Sequence, residues 1–164
     1  MAGRGLHFSI TPTEMEQLLS AADDAELMML VEAFETIWDT ENLAESDKAW
    51  NAIHRCLTDG SLLYDGGTYP LNHVICGGRA LHKGDDYTVS VVTPNQVQDV
   101  ASALASASET WLRERYFSLI DPNEYDGEKG EDDFEYTWEW FQGVSALFKK
   151  AAAVGRAVVF TVDA

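Results

Sequence analysis

The sequence has few basic residues and only two cysteines, and each shortage limits what the protein can be. There are 11 Lys and Arg against 28 Asp and Glu in 164 residues, which gives a formal net charge of −17. We expect no direct binding to DNA or RNA, because phosphate contacts need basic side chains. Cys56 and Cys76 lack CxxC spacing. They indicate buried, reduced thiols in a bacterial cytoplasmic protein.

Long apolar runs and metal-binding patterns are also missing. No run approaches the roughly 18 uncharged apolar residues of a membrane span, and residues 1–8 do not have the pattern of an export signal. The four histidines show no HxH, HxxxH or HExxH spacing, and residues 126–133 (DGEKGEDD) lack the ligand order of a calcium loop. We therefore predict no membrane contact, no metal, no cofactor and no catalytic residue.

Negative charge is concentrated in two acidic blocks. Residues 23–45, the first acidic block, hold eight carboxylates and no Lys or Arg. Residues 121–139, the second acidic block, hold nine, with only Lys129 against them. The rest of the chain is therefore almost neutral. Two such surfaces attract basic proteins or cations and repel nucleic acid and anionic lipid.

Composition and periodicity predict a single α+β domain over residues 1–164. Hydrophobic residues make up 46% of the chain and aromatics 11%, enough for a packed core. Apolar patterns predict about three strands (6–10, 87–92 and 156–162) and about six helices (from 12, 23–38, 47–57, from 94, 108–119 and a long one after 133), with a further short helix at 70–76. Thr11-Pro12 and Thr93-Pro94 begin two of the helices, and Ser46 caps the helix from 47. Residues 121–133 form an acidic loop.

Four segments, in order and at compatible spacing, carry the pattern of one bacterial family. Residues 48–60 read KAWNAIHRCLTDG, close to a K-x-W-x-x-[LI]-H-x-x-L-T-G motif. Residues 71–78, 87–97 and 148–160 match its glycine-ended segment, its strand with a Thr-Pro helix start, and its helix–Gly–strand close. The chain thus resembles the YfbM-like proteins, which are of unknown function. The resemblance implies one α+β domain and no agreed activity.

A ligand site is predicted around Trp50 and His54, which share one helix face at i,i+4 spacing. With Lys48 they can line a small anionic pocket in which the imidazole donates a hydrogen bond or moves a proton. The alternative is a core tryptophan beside a histidine bonded to backbone carbonyls. Gly77, Gly78 and Arg79 can hold a phosphate or carboxylate. The alternative interpretation of these glycines is that they form the turn that ends a short helix.

A partner-binding face is predicted near the start of the long helix. Its residues are acidic or aromatic: Asp132, Asp133, Glu135, Tyr136 and Trp140. Exposed aromatics among carboxylates suit recognition of a basic protein. Alternatively, both sides of this helix are buried.

Two functions follow from these candidates. The first is a non-enzymatic protein-binding module whose acidic faces engage a basic partner, for instance as an antitoxin-like or immunity-type inhibitor or as a DNA mimic. The second is a small-molecule-binding protein or enzyme with a pocket near Trp50 and His54. The charge distribution favours the first.

Overall fold

The protein folds around one antiparallel five-stranded sheet. The structure is a computed structural model and describes residues 3–163. The strands are β1 (Gly5–Ile10), β2 (Leu43–Asp47), β3 (Arg79–Ala80), β4 (Tyr87–Val92) and β5 (Ala157–Asp163). Their order is β2-β1-β5-β4-β3, so β2 and the two-residue β3 form the edges.

In the described residues 3–163, six α-helices and one 3₁₀ turn cover both faces of the sheet. The helices are α1 (Pro12–Leu19), α2 (Asp24–Ile37), α3 (Trp50–Leu57), α4 (Pro94–Leu104), α5 (Glu109–Leu119) and α6 (Glu131–Ala153). The helices α1 and α2 close one face, with a core that includes Phe8, Leu27 and Val31. The other four helices close the opposite face over a larger core that includes Ile53, Phe141 and Phe160.

Local signals position several of these helices. The hydroxyls of Thr11 and Thr93 each accept a hydrogen bond from the backbone N–H three residues on. The side chains of Glu14 and Gln96 in turn accept from the backbone N–H of Thr11 and Thr93, so both capping boxes form. The side chains of Asp23 and Ser108 cap α2 and α5 and accept hydrogen bonds from Glu26 N and Trp111 N. Six helices in an α+β domain are confirmed.

The predicted number of strands is too low. Residues 43–47 form β2, where the sequence predicted the approach to a helix capped by Ser46. That helix begins at Trp50 instead, and the Ser46 side chain is buried beside Gly5 of β1. Polar residues such as Glu45, Ser46 and Asp47 are typical of a helix start, but here pairing with β1 determines an extended conformation. The strand β3 is too short to give a pattern.

Two other predicted boundaries differ from the structure. Residues 70–76 form only a 3₁₀ turn at Leu71–His73. The helix α6 begins at Glu131, so the last three acids of the predicted loop lie in its first turn. Carboxylates at that position interact favourably with the positive end of the helix dipole. Within residues 3–163, no helix has both the length and the apolar character needed to cross a bilayer.

His7 of β1 lies fully buried in the larger core. Its Nε2 donates to the Val74 carbonyl at 2.7 Å, and its ring centroid lies 4.9 Å from that of Phe160 and 5.8 Å from that of Phe148. A carbonyl can only accept, so Nε2 carries the proton of the neutral ring. Burial lowers the pKa of His7 from 6.5 to about 4.

We expect this histidine to make folding sensitive to mild acid. The unfolded chain takes up the proton near pH 6.5, whereas the folded protein resists it until about pH 4. Stability from the neutral ring is therefore complete above pH 6.5 and falls by roughly 3 kcal/mol as the pH drops to 4. Urea unfolding at several pH values measures this loss.

The variant His7→Leu supplies the control. Removal of the imidazole lowers stability at pH 7, but it also makes the dependence on pH between 6.5 and 4 shallower. Burial also lowers the pKa values of His54 and His73, and both residues remain in the two proteins, so their effects cancel. Equal pH dependence in the variant and the parent would show that His7 does not carry the effect.

Candidate functional site

The predicted Trp50–His54 pair lies in the core. The whole of α3 is buried, with Trp50 4% and His54 0% exposed. The Trp50 Nε1 donates to Gly3 O at 3.0 Å, and the His54 Nε2 donates to Leu63 O at 2.8 Å. The ring of Tyr64 packs edge-on against both. Burial lowers the pKa of His54, which keeps the imidazole neutral.

Gly77 and Gly78 line a separate cleft, together with Tyr64, Ala80 and residues of β4, and neither Trp50 nor His54 lines it. A Cβ on Gly77 would lie 2.0 Å from Asn72 O, and one on Gly78 would lie 2.7 Å from Val91 O. Glycine is therefore needed here because two backbone segments approach closely. Arg79 is exposed and borders a different cleft, against α1 and α2. The geometry thus separates the six predicted ligand residues.

Lys48 joins two residues of the predicted partner face in another cavity, which we call the tyrosine cavity. It has a volume of about 450 Å³ and is lined by Lys48, Asn51, Tyr125, Asp126, Gly127, Asp133 and Tyr136. The loop before α6 supplies one wall, and the first turns of α6 supply another. Lys48 and Asn51 complete the lining from about 80 residues earlier in the sequence, so no local pattern reveals this grouping.

Asp133 organises the tyrosine cavity. Its Oδ2 accepts from the hydroxyls of Tyr116 at 2.5 Å and Tyr125 at 2.8 Å. The hydroxyl of Tyr136 donates to Asp47 at 2.5 Å. Desolvation and these carboxylates raise the pKa values of all three phenols, that of Tyr136 to about 12. The phenols therefore stay protonated and act as hydrogen-bond donors to the two carboxyl groups.

A buried arginine supports the cavity from behind. Arg55 is 4% exposed, and its guanidinium donates to Asn51 Oδ1 at 2.8 Å and to Gly60 O at 3.1 Å. It also lies over the ring of Tyr125, 5.7 Å from the centroid. It thus ties the loop before α6 to the end of α3. Since its partners are uncharged, its positive charge remains beside the cavity.

A second recess lies at the β2 edge of the sheet, and we call it the aromatic–acidic groove. It also has a volume of about 450 Å³, and it is lined by Trp38, Thr40, Leu43, Ala44, Glu45, Glu139, Trp140 and Gly143. One wall comes from β2 and the segment after α2, and the other comes from α6. Glu45 belongs to the first acidic block and Glu139 to the second, so the two blocks meet here.

The two tryptophans of the groove are held in different ways. Trp140 is half-buried and packs at 6.3 Å, edge-to-face, on Tyr136, one turn earlier on α6. Trp38 is 39% exposed and ends α2 with φ 49° and ψ 55°. This left-handed conformation usually requires glycine. A bulky side chain here is an outlier of the kind found at functional sites.

The predicted partner face is divided by the structure. Asp133 and Tyr136 line the tyrosine cavity, and Trp140 lines the groove. Asp132 and Glu135 are exposed on α6 and border neither recess. Two residues that line the groove, Trp38 and Glu139, are not among the site residues predicted from the sequence. Both lie within or beside the acidic blocks, but only the fold shows that they are neighbours.

Charge in the two acidic blocks is largely uncompensated. Across residues 3–163, only three of their carboxylates form ion pairs with Lys or Arg: Glu41 with Lys150, Glu45 with Arg4 and Glu131 with Arg113. Lys129, the lone cation of the second block, donates instead to the carbonyls of Phe117 and Ile120. Residues 3–163 contain no group of three or more His, Cys, Asp or Glu that could hold a metal ion.

Comparison with known proteins identifies a family and a fold. A family model described as a domain of unknown function, DUF1877, matches residues 1–161. The crystal structure of YfbM from Escherichia coli, a protein of unknown function, matches with a TM-score of 0.63 and 19% sequence identity over 99% of both chains. No curated protein sequence matches. The predicted resemblance to YfbM-like proteins is confirmed, and at this identity the structural match shows the fold alone.

We expect Asp133→Asn to destabilise the protein. The change weakens two charge-assisted hydrogen bonds from phenols that burial keeps from water. The loss should be about 1.5–3 kcal/mol, measured by urea unfolding at pH 7. Asp132→Asn is the matched control, because it removes the same charge from an exposed neighbour and should change stability by less than about 0.5 kcal/mol. Equal losses would contradict the organising role of Asp133.

Proposed function

Because the chain belongs to the DUF1877 family, whose function is unknown, we propose from its own geometry that it is a non-enzymatic module that binds a basic polypeptide. The observation that carries this proposal is the aromatic–acidic groove. Both acidic blocks reach it, and two tryptophans line it. Tryptophan and tyrosine are the usual anchors of protein interfaces, and opposite charge steers a partner to them.

The charge of the groove favours a cationic partner. Glu139 is exposed and forms no ion pair with Lys or Arg of residues 3–163, and Glu45 shares its charge with Arg4. The surrounding blocks add more unpaired carboxylates. A basic segment would thus gain attraction at long range and aromatic contacts at short range.

The biological setting that we propose is the bacterial cytoplasm, where such a module could restrain a basic toxin or occupy a DNA-binding protein. Two observations support this setting. The cysteines are free and buried, as expected in a reducing compartment. A structural match comes from a bacterium.

The tyrosine cavity favours a second candidate function, binding of a small zwitterion. Lys48 at its wall suits a carboxylate, whereas Asp126 suits an ammonium group. The rings of Tyr125 and Tyr136 offer aromatic contact. This arrangement replaces the predicted pocket at Trp50 and His54 but keeps Lys48.

We expect a fluorescently labelled oligolysine peptide to bind with an affinity that falls as salt rises, because surface attraction is screened over about 8–10 Å at 0.1–0.15 M salt.

Glu139→Gln should weaken binding of this peptide by about two- to fivefold. Glu128→Gln is the matched control, with the same change in net charge outside the groove. Trp38→Gly, which suits the left-handed backbone, should weaken binding by about tenfold or more. Salt-independent binding, or equal effects of Glu139→Gln and Glu128→Gln, would contradict binding of the basic peptide at the groove.

For the second candidate, we expect an amino-acid zwitterion to raise the thermal midpoint where the matching amine without a carboxylate does not. A ligand at 100 times its dissociation constant adds about 2.7 kcal/mol to stability. Lys48→Gln should abolish the discrimination between the two compounds. Lys149→Gln, a change of the same kind at an exposed position of α6, should preserve it. If no member of an amino-acid panel shifts the midpoint, the tyrosine cavity does not bind this class.

A further inference from the structure

The backbone of β2 has a free side that faces the aromatic–acidic groove. Among residues 3–163, the edge strand β2 pairs only with β1. Ser9 N donates to Asn42 O at 2.8 Å, and the next pairs along the ladder are Phe8 with Leu43 and His7 with Ala44. Hydrogen-bonded and non-bonded pairs alternate in an antiparallel ladder. Leu43 and Glu45 therefore direct their N–H and C=O groups away from β1.

These outward groups are accessible because the groove begins where they lie. Leu43, Ala44 and Glu45 all line it. A register shift follows at the next position, where Gly5 pairs with Asp47 and Leu6 with Glu45. This bulge ends the regular edge after Glu45. The free edge is thus three residues long, or about 10 Å.

A glycine on α6 keeps space open beside that edge. A Cβ built on Gly143 meets no other atom within 4 Å. Glycine inside a helix costs about 1 kcal/mol relative to alanine. No backbone conformation or close contact at Gly143 accounts for this cost. The absence of a side chain leaves room in the groove opposite Leu43 and Glu45.

We propose that an extended segment of the basic partner adds to β2 as a sixth strand of the sheet. This inference rests on the proposed function and specifies how the partner is bound. Main-chain hydrogen bonds to Leu43 and Glu45 give affinity, as in other cases of strand addition. Trp38 and Trp140 flank the added strand, and Glu45 and Glu139 select its charge.

Strand geometry also specifies the sequence of the segment. Leu43 and Glu45 lie two residues apart, so their side chains share one face of the sheet. Directly opposed side chains on a face interact most strongly. The partner therefore places a Lys or Arg opposite Glu45 and an apolar residue opposite Leu43, in the pattern basic–any–apolar. A second copy of this chain is disfavoured, because it would bring the carboxylates of Glu45 and Asp47 from both copies to one interface.

The test uses the intact protein, labelled with ¹⁵N, and the capped peptide acetyl-Lys-Thr-Val-Thr-Lys-amide. In an antiparallel sixth strand its valine lies opposite Leu43 and a lysine lies opposite Glu45, so the N–H groups of these two residues face β2 and those of the threonines face away. Binding should slow amide hydrogen exchange at Leu43 and Glu45 by tenfold or more. Exchange at Ala44, whose N–H already faces β1, should change little. N-methylation of the valine should weaken binding by tenfold or more, whereas N-methylation of both threonines should leave it within about twofold.

Substitution of Gly143 provides the protein-side control. Gly143→Leu should fill the groove and abolish slowed exchange, whereas Gly143→Ala adds one methyl group to open space and should leave binding intact. Both residues favour the helix, so the two variants should fold equally well. If Gly143→Leu binds the peptide as tightly as Gly143→Ala, the added strand does not lie there.

The remaining outcomes distinguish failure of strand addition from failure of the proposed function itself. If the parent peptide and both methylated forms bind equally, with salt dependence and without protection of Leu43 and Glu45, strand addition is wrong and the proposed function stands. If no form of the peptide binds, the proposed function fails and this inference fails with it. If the two amides become protected as the protein alone is concentrated, a second copy occupies the edge and the basic partner is excluded.

Discussion

The packing of α6 against the sheet determines the position of both recesses. This helix has 23 residues, or about 35 Å of length. It buries Phe134, Phe141 and Phe148 in the larger core, which fixes its rotation about its own axis. Its remaining sides are then determined by helical geometry. Asp133 and Tyr136 reach the tyrosine cavity, and Trp140 and Gly143 reach the groove, one or two turns further along.

Local chemistry could be predicted from the sequence, whereas neighbours across the fold could not. The capping boxes at Thr11 and Thr93 involve residues three positions apart, so the sequence alone reveals them. In contrast, β2 depends on pairing with β1, some 40 residues away, and its own residues favour a helix start. The same difference explains the site. Lys48 was grouped with Trp50 because they are close in sequence, but its backbone amide donates to Tyr136, 88 positions away.

Burial decides which of the predicted side chains can meet a partner. Trp50 and His54 have the chemistry of a binding pair, but the backbone carbonyls of Gly3 and Leu63 already accept their hydrogen bonds. Within the described part of the chain no backbone carbonyl accepts from the Trp140 side chain, which is half-buried and lines the groove. The sequence leaves open whether Tyr136 and Trp140 are exposed or buried. It could not predict that β2 would leave one of them accessible and engage the other through Asp47.

Charge at the β2 edge has two consequences that follow from the same electrostatics. An unpaired strand edge is a risk for association between identical chains, and charged side chains on the edge are a common protection against it. Glu45 and the nearby carboxylates repel any segment as acidic as this chain itself. For a basic segment the sign of the interaction reverses, and the outward groups of Leu43 and Glu45 become an accessible template. In the proposed mode of binding, the concentrated negative charge that disfavours pairing between identical chains selects a cationic strand by the same interaction.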